Sequence, residues 1–169
     1  MCYNIVKGGT IMWLILSDSH DNLTKAKEIE KVIESYKIDT IFHCGDFVAP
    51  FILPYFFKDN IEFYGVFGNN DGERLLLSKK SNGKIRTGPY EILIQNFKIF
   101  LMHEPYALKA AKESNLYDFI FFGHTHELVV EKYNNSVIIN PGESSGWLTG
   151  KATVVLLEPE EKRWEILTI

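Results

Sequence analysis

The chain has 169 residues, 46% of them hydrophobic, which is enough apolar material for one ordinary globular core. A net charge of −4 excludes polyanion binding through bulk positive charge, so no extended nucleic-acid surface is expected. Two cysteines, Cys2 and Cys44, make no disulfide framework, and no apolar run is long enough to span a bilayer; both facts point to a cytoplasmic protein with no membrane partner.

Met12 stands directly before the first strand, and residues 1–10 lack the apolar stretch of a secretory signal, so residues 1–11 read as an N-terminal extension and 12–169 as a single domain. A strand is predicted at 11–17. A helix at 22–36 follows, with Asp21 or Asn22 as N-cap and Ala26, Ile29, Val32, Ile33 and Tyr36 as its apolar stripe. Next come a strand near 39–44, a short helical segment after Pro50 and a strand near 61–67. These strands are almost continuously apolar, as burial on both faces requires, and the alternation with helices implies a parallel sheet.

The second half reads differently. Glu91–Gln95 and Lys98–Met102 flank Asn96-Phe97 and predict a tight hairpin. A helix at 105–114 starts at Pro105 and ends before Asn115. Strands follow near 118–122, 127–133, 136–140, 151–157 and 163–168, with a turn at Asn134-Asn135 that also matches a glycosylation acceptor. The mixture predicts two sheets packed face to face with helices outside. The run Lys79 to Arg86 reads as a solvated basic loop, with steering of an anionic substrate as the functional alternative.

Metal-ligating side chains recur where these apolar runs end. Asp18-Ser19-His20 follows the first run, Gly45-Asp46 the second, and Gly68-Asn69-Asn70-Asp71 the third. His103 follows Phe97–Met102, and Gly123-His124-Thr125-His126 follows Asp118–Phe122. Ligand sites in α/β sheets lie at the carboxyl ends of strands. Asp-x-His and His-x-His place two ligands on one side of an extended segment. The set Asp18, His20, Asp46, Asn69, His103, His124 and His126 offers imidazole, carboxylate and amide but no thiolate. It suits octahedral Mn, Fe, Co, Ni or Zn better than a structural zinc site. Seven ligands exceed what one tetrahedral ion uses, so two ions sharing a carboxylate are expected.

Taken in order and together with Asn140-Pro141-Gly142, these motifs resemble the calcineurin-like metallophosphoesterase superfamily, and in particular its compact YfcE-type phosphodiesterase branch, from about residue 12 to the end. The resemblance implies an α/β fold, a four-layer αββα sandwich of two mixed sheets. It implies that Asp18, His20, Asp46 and His126 hold one divalent ion, and that Asp46, Asn69, His103 and His124 hold another, with Asp46 bridging. Mn2+ or Ni2+ is the expected metal, with Fe, Co and Zn as alternatives, and a bridging hydroxide would attack a phosphodiester in line. The expected substrate is a small or nucleotide-like phosphodiester, and a homo-oligomer is expected from the family alone.

Two positions depart from the family pattern. Asn70 stands where many members have a histidine, and an amide donates a hydrogen bond but delivers no proton at neutral pH. Glu104 stands where the branch often has glycine, either narrowing the pocket or serving as a helix N-terminal acid. Among supporting residues, His43 is expected to orient Asp46 or to donate toward substrate, with a satisfied core imidazole as the alternative. Asp71 is expected to orient a ligand histidine. Phe47, Tyr106 and Trp147 are candidate pocket walls, each with a core or surface alternative. Rival functions are a phosphomonoesterase with the same centre and a non-catalytic interaction scaffold of the same fold; the absence of basic residues beside the motifs favours the diester.

Overall fold

The computed structural model of the protein describes residues 11–169. The predicted extension at 1–11, and Cys2 with it, therefore lies outside the described residues except for Ile11, which packs against the core between the sheets. Strands β1 (Trp13–Leu16), β2 (Thr40–His43) and β3 (Glu62–Val66) run parallel, with α1 (Leu23–Ser35) between the first two and α2 (Leu53–Phe56) between the second and third. Helix α3 (Arg74–Lys80) leads to β4 (Ile85–Arg86), which joins β3 in parallel.

The chain then builds a second sheet from β5 (Tyr90–Ile94), β6 (Phe97–Leu101), β7 (Phe119–Phe121), β8 (Leu128–Tyr133) and β9 (Ser136–Pro141), with α4 (Leu108–Ser114) inserted after β6. It returns to the first sheet through β10 (Thr153–Glu158) and β11 (Arg163–Thr168). The orders are β11-β10-β1-β2-β3-β4 and β5-β6-β7-β9-β8. Both sheets are mixed, since β10 and β11 pair antiparallel at one edge and the β5–β6 and β8–β9 pairs are antiparallel in the other.

Alternation along the strands explains the layers. Trp13 and Ile15 of β1 face the second sheet with Phe42, Val155 and Leu157, where they meet Ile99, Phe119, Phe121, Val137 and Ile139. Leu14 and Leu16 point the other way, onto Ala26, Ile29 and Ile33 of α1 and Leu53 and Phe56 of α2. On the far side of the second sheet, Ile120, Phe122 and Ile138 pack against Ala111 of α4. The result is the expected αββα sandwich. Trp13 marks its centre, edge-on to Phe42, Phe97 and Phe119 at 5.1–5.6 Å between centroids. Among the described residues, no helix is long and apolar enough to cross a membrane.

Several local expectations change. Tyr36 is 40% exposed and lies past the end of α1, its N–H still bonded to the Val32 carbonyl, so the buried stripe ends at Ile33. The β5–β6 hairpin turns at Gln95-Asn96, one residue earlier than predicted, because both residues adopt left-handed backbone (φ 51° and 72°) and Ile94 pairs with Phe97. The basic run at 79–86 is not a free loop: it holds the end of α3, the buried Ser81 and the whole of β4. Asn134-Asn135 is a two-residue turn between β8 and β9, and Ser136 is buried and donates to the Tyr117 carbonyl.

Candidate metal centre

All seven predicted ligands come together where the carboxyl ends of β1, β2, β3, β6 and β7 meet at the seam of the two sheets. Asp18, His20, Asp46, His124 and His126 all adopt left-handed backbone, with φ between 40° and 69°. That conformation costs a non-glycine residue roughly 1–2 kcal/mol, so five cases at one sheet edge indicate turns built for function rather than for stability. The turns are locked together by their backbones. The Asp18 N–H donates to the Gly45 carbonyl, and the His20 N–H to that of Asp46. Asn140 braces the third turn, donating to the Gly123 carbonyl at 3.1 Å and the Thr125 hydroxyl at 2.9 Å.

Both carboxylates are buried, and Asp18 is half satisfied. Asp18 Oδ2 accepts from the Ser17 hydroxyl and, at 3.1 Å, from the His124 N–H. Its Oδ1 has no hydrogen-bond partner and faces His126 Nε2 at 3.3 Å and His20 Nε2 at 3.7 Å. His20 Nε2 is likewise unpartnered. Asp46 Oδ2 lies 3.6 Å from His20 Nε2 and 3.5 Å from His103 Nε2, between the two groups of imidazoles. Asn69 Oδ1 faces His103 Nε2 at 2.8 Å and His124 Nδ1 at 2.9 Å. His103 Nδ1 sits 2.8 Å from the Cys44 carbonyl, an acceptor that requires the proton on that nitrogen. A neutral His103 therefore confronts Asn69 Oδ1 with a lone pair against a lone pair. Acceptors converging in this way, with ligand-to-ligand spacings close to the edges of a polyhedron with metal bonds of about 2.1 Å, fit divalent cations.

The ionisations follow the same arrangement. The Asp18 carboxylate beside His20 raises that imidazole's pKa, against burial. Burial opposes charge on His103, but Asp46 outweighs it and the net shift is upward. Burial also opposes charge on Asp46, and hydrogen bonds from His103 and Asn70 overcome it, holding the carboxyl well below its usual range. Burial lowers His43 well below the ordinary imidazole value, helped by the neighbouring His103.

The supporting residues are placed as follows. His43 is fully buried and stacked on Phe47 at 3.7 Å; its Nδ1 accepts from the Gly45 N–H and its Nε2 meets the Ser19 hydroxyl at 3.0 Å. It buttresses the two turns from within the core and does not reach the open face. Asp71 touches no histidine; its carboxylate accepts from the N–H groups of Gly68, Val48 and Asp46 and so staples the Asp46 and Asn69 loops together. Asn70 donates to both Asp46 oxygens, through its N–H at 2.8 Å and its side-chain amide at 2.7 Å, so the amide is spent on the carboxylate. Phe47 is core. Tyr106 and Glu104 are exposed and line a cavity of about 150 Å³ that also borders Asn69 and His103. Trp147 is exposed on its ring and donates from Nε1 to the His20 carbonyl.

Sequence reasoning missed two residues. Glu143 is completely buried beside His126 and accepts from Ser145, Leu148 and Thr149; burial opposes its charge, but these donors hold its carboxyl down to about 2. Arg74 lines the cavity bordering Asn69 and His103, its guanidinium fixed by the Asp71 and Gly68 carbonyls at 3.1 and 2.9 Å.

Comparison with known proteins identifies the family and the fold. The chain is 34% identical over 161 residues to the phosphodiesterase MJ0936 of Methanocaldococcus jannaschii, covering 92% of this chain and 97% of that one. The solved structure of an archaeal phosphodiesterase superposes with a TM-score of 0.86 at 33% identity, covering 94% of this chain and all of the other. YfcE of E. coli, a phosphoesterase, shares the fold with a TM-score of 0.62 at 18% identity, covering 94% of this chain and 100% of its own. The family model for the calcineurin-like phosphoesterase superfamily domain matches residues 11–162, the span that carries every ligand named above. The chain belongs to that superfamily.

Proposed function

We propose that this chain is a metal-dependent phosphodiesterase with a dinuclear centre, in which Asp18, His20, Asp46 and His126 hold one divalent ion and Asp46, Asn69, His103 and His124 the other. The observation that carries the reading is the position of Asp46 Oδ2, within 3.6 Å of an imidazole of each group, beside the unpartnered Asp18 Oδ1. When bound, two such ions, Mn2+ or Ni2+ before Fe, Co or Zn, would activate water as the nucleophile and neutralise charge on the phosphoryl oxygens.

The chain's own residues hold that arrangement. Asn70 and the Asn70 N–H fix the Asp46 carboxylate, Asp71 fixes the loop that carries it, and His43 supports the turn behind it. Of the residues considered for protonating a leaving oxygen, Asn70 cannot do so at neutral pH and His43 is buried away from the open face. Esters with good leaving groups are therefore favoured. The diester assignment is supported by a relative named as a phosphodiesterase. Cytoplasmic residence is part of the same proposal.

Arg74 gives the second reading its footing. Its guanidinium borders the same cavity as Asn69 and His103 and has no carboxylate partner among the described residues, so a substrate with a second negative charge is met by a fixed cation. A phosphomonoester fits that description, as does a nucleotide-like diester with another anionic group. The test strips the protein of metal, restores Mn2+ or Ni2+, and compares bis(p-nitrophenyl) phosphate with p-nitrophenyl phosphate. Metal-dependent hydrolysis that prefers the diester is expected. A monoester preference that Arg74→Ala abolishes would replace the diester reading with the second one.

A further inference from the structure

The segment from Glu143 to Thr149, between β9 and β10, touches only half of the candidate centre. Its contacts run to the three ligands found around Asp18 Oδ1. The Ser145 N–H donates to the Asp18 carbonyl at 3.2 Å, and Ser144 donates to the Ser17 carbonyl through both its N–H and its hydroxyl at 2.8 Å. Trp147 Nε1 donates to the His20 carbonyl at 3.2 Å. Glu143 Oε2 lies 3.2 Å from His126 Nδ1, off the line of a hydrogen bond, and that buried nitrogen has no hydrogen-bond partner among the described residues. On the opposite edge of that ring, Nε2 faces Asp18 Oδ1 at 3.3 Å. None of the contacts made by this segment reaches Asp46, Asn69, His103 or His124. Those ligands are held by Asp71, Asn70, the Cys44 carbonyl and one another, with two bonds across to the first group, from the His124 N–H to Asp18 Oδ2 and from the His20 N–H to the Asp46 carbonyl.

Glu143 itself is built as a fixed carboxylate. It is fully buried, its Oε1 accepts from the N–H groups of Leu148 and Thr149 and from the Thr149 hydroxyl, and its Oε2 accepts from the Ser145 hydroxyl. A carboxylate held at one nitrogen of an imidazole keeps the proton on that nitrogen and presents the other as a ligand.

We propose that Glu143 is a positioning residue for one of the two ions only: it fixes His126 as the Nδ1–H tautomer with Nε2 turned to the Asp18–His20 site, and leaves the Asp46–Asn69–His103–His124 site independent of it. This rests on the two-ion reading above.

The test uses Zn2+ as the probe, read by calorimetric titration and by the imidazole nitrogen resonances in NMR. Wild type is expected to bind two equivalents, with His126 protonated at Nδ1 and shifted by Zn2+ at Nε2. In Glu143→Gln, one equivalent should weaken by roughly 10–100-fold. His20 and His126 should lose their Zn2+ shifts at low metal while His103 and His124 keep theirs. Leu148→Ala, which trims an exposed side chain of the same segment and leaves the donors to the Glu143 carboxylate in place, should retain both sites. Two unaltered sites in Glu143→Gln, or coordination of Zn2+ by His126 Nδ1 in wild type, overturn the proposal. If Glu143→Gln does not fold, the wild-type His126 tautomer decides. Uptake of a single equivalent by wild type overturns the two-ion reading instead, and the site-selective role with it.

Discussion

Gly68 and Gly72 bracket the Asn69-Asn70-Asp71 segment, and only one of them has room for a methyl group. A Cβ on Gly68 would lie 2.1 Å from Asp46 Oδ1 and 2.5 Å from the Asp46 N, whereas nothing comes within 4 Å of one on Gly72. The glycine before the ligand Asn is therefore present to let the Asp46 carboxylate come close. Gly68→Ala should cost about 1–3 kcal/mol of stability by overpacking and should weaken metal uptake, since the displaced group is the carboxylate between the imidazoles. Gly72→Ala should stay within about 0.5 kcal/mol of wild type. Urea unfolding of the metal-free variants and a Mn2+ titration of each separate the two; equal behaviour would show that the Asp46 contact yields without consequence. At this scale the sequence was informative where a ligand type follows an apolar run, because the run and the turn are both local. Glu143 had no such signal. It is one of 22 acidic residues in a loop of small polar ones, and only the fold reveals that it is buried against His126.

Helix α1 shows how an element reaches the site. Its N-cap, Asn22, accepts from the Lys25 N–H at 3.2 Å, while the same side chain donates to the Ser145 carbonyl at 2.7 Å. The cap thus ties the helix to the segment that braces His20 and His126. Asn22→Ala should lose about 1 kcal/mol for the cap, plus a share of similar size for the half-buried bond to Ser145. Asn22→Ser should recover the first and not the second, and urea unfolding of the two variants measures the difference. A full recovery by serine would mean that the Ser145 bond adds nothing. Of the elements themselves, β1, β2, β3 and α1 were legible because two-sided burial and a 3.6-residue stripe write long patterns. Strand β4 was not: two residues, one of them Arg86, carry no period, and they pair with β3 only because α3 delivers them there. The hairpin turn was misplaced by one residue because Gln95 carries no turn signature of its own, although it takes the left-handed conformation the turn demands.

Across the whole molecule, the ligands divide between the sheets. Asp18, Asp46 and Asn69 follow strands of the first sheet, and His103, His124 and His126 follow strands of the second. Hydrophobic contact joins the inner faces, through Trp13, Phe42 and their partners, and at the seam a few hydrogen bonds cross, such as His124 N–H to Asp18 Oδ2 and His103 Nδ1 to the Cys44 carbonyl. Ions bound at the seam would therefore cross-link two layers that the unfolded chain cannot hold in register. A ligand that binds only the native state stabilises it by mass action, about 2.7 kcal/mol at one hundred times its dissociation constant. For a domain of this size that corresponds to a rise in Tm of roughly 5–10 °C. Thermal unfolding of metal-stripped protein with increasing Mn2+ should show this rise, and a chelator should reverse it. Asp46→Ala, which removes the carboxylate facing both imidazole groups, should abolish most of it while leaving the inter-sheet core intact. A Tm that does not respond to Mn2+ in wild type, or that responds equally in Asp46→Ala, would mean that the seam does not hold metal through Asp46.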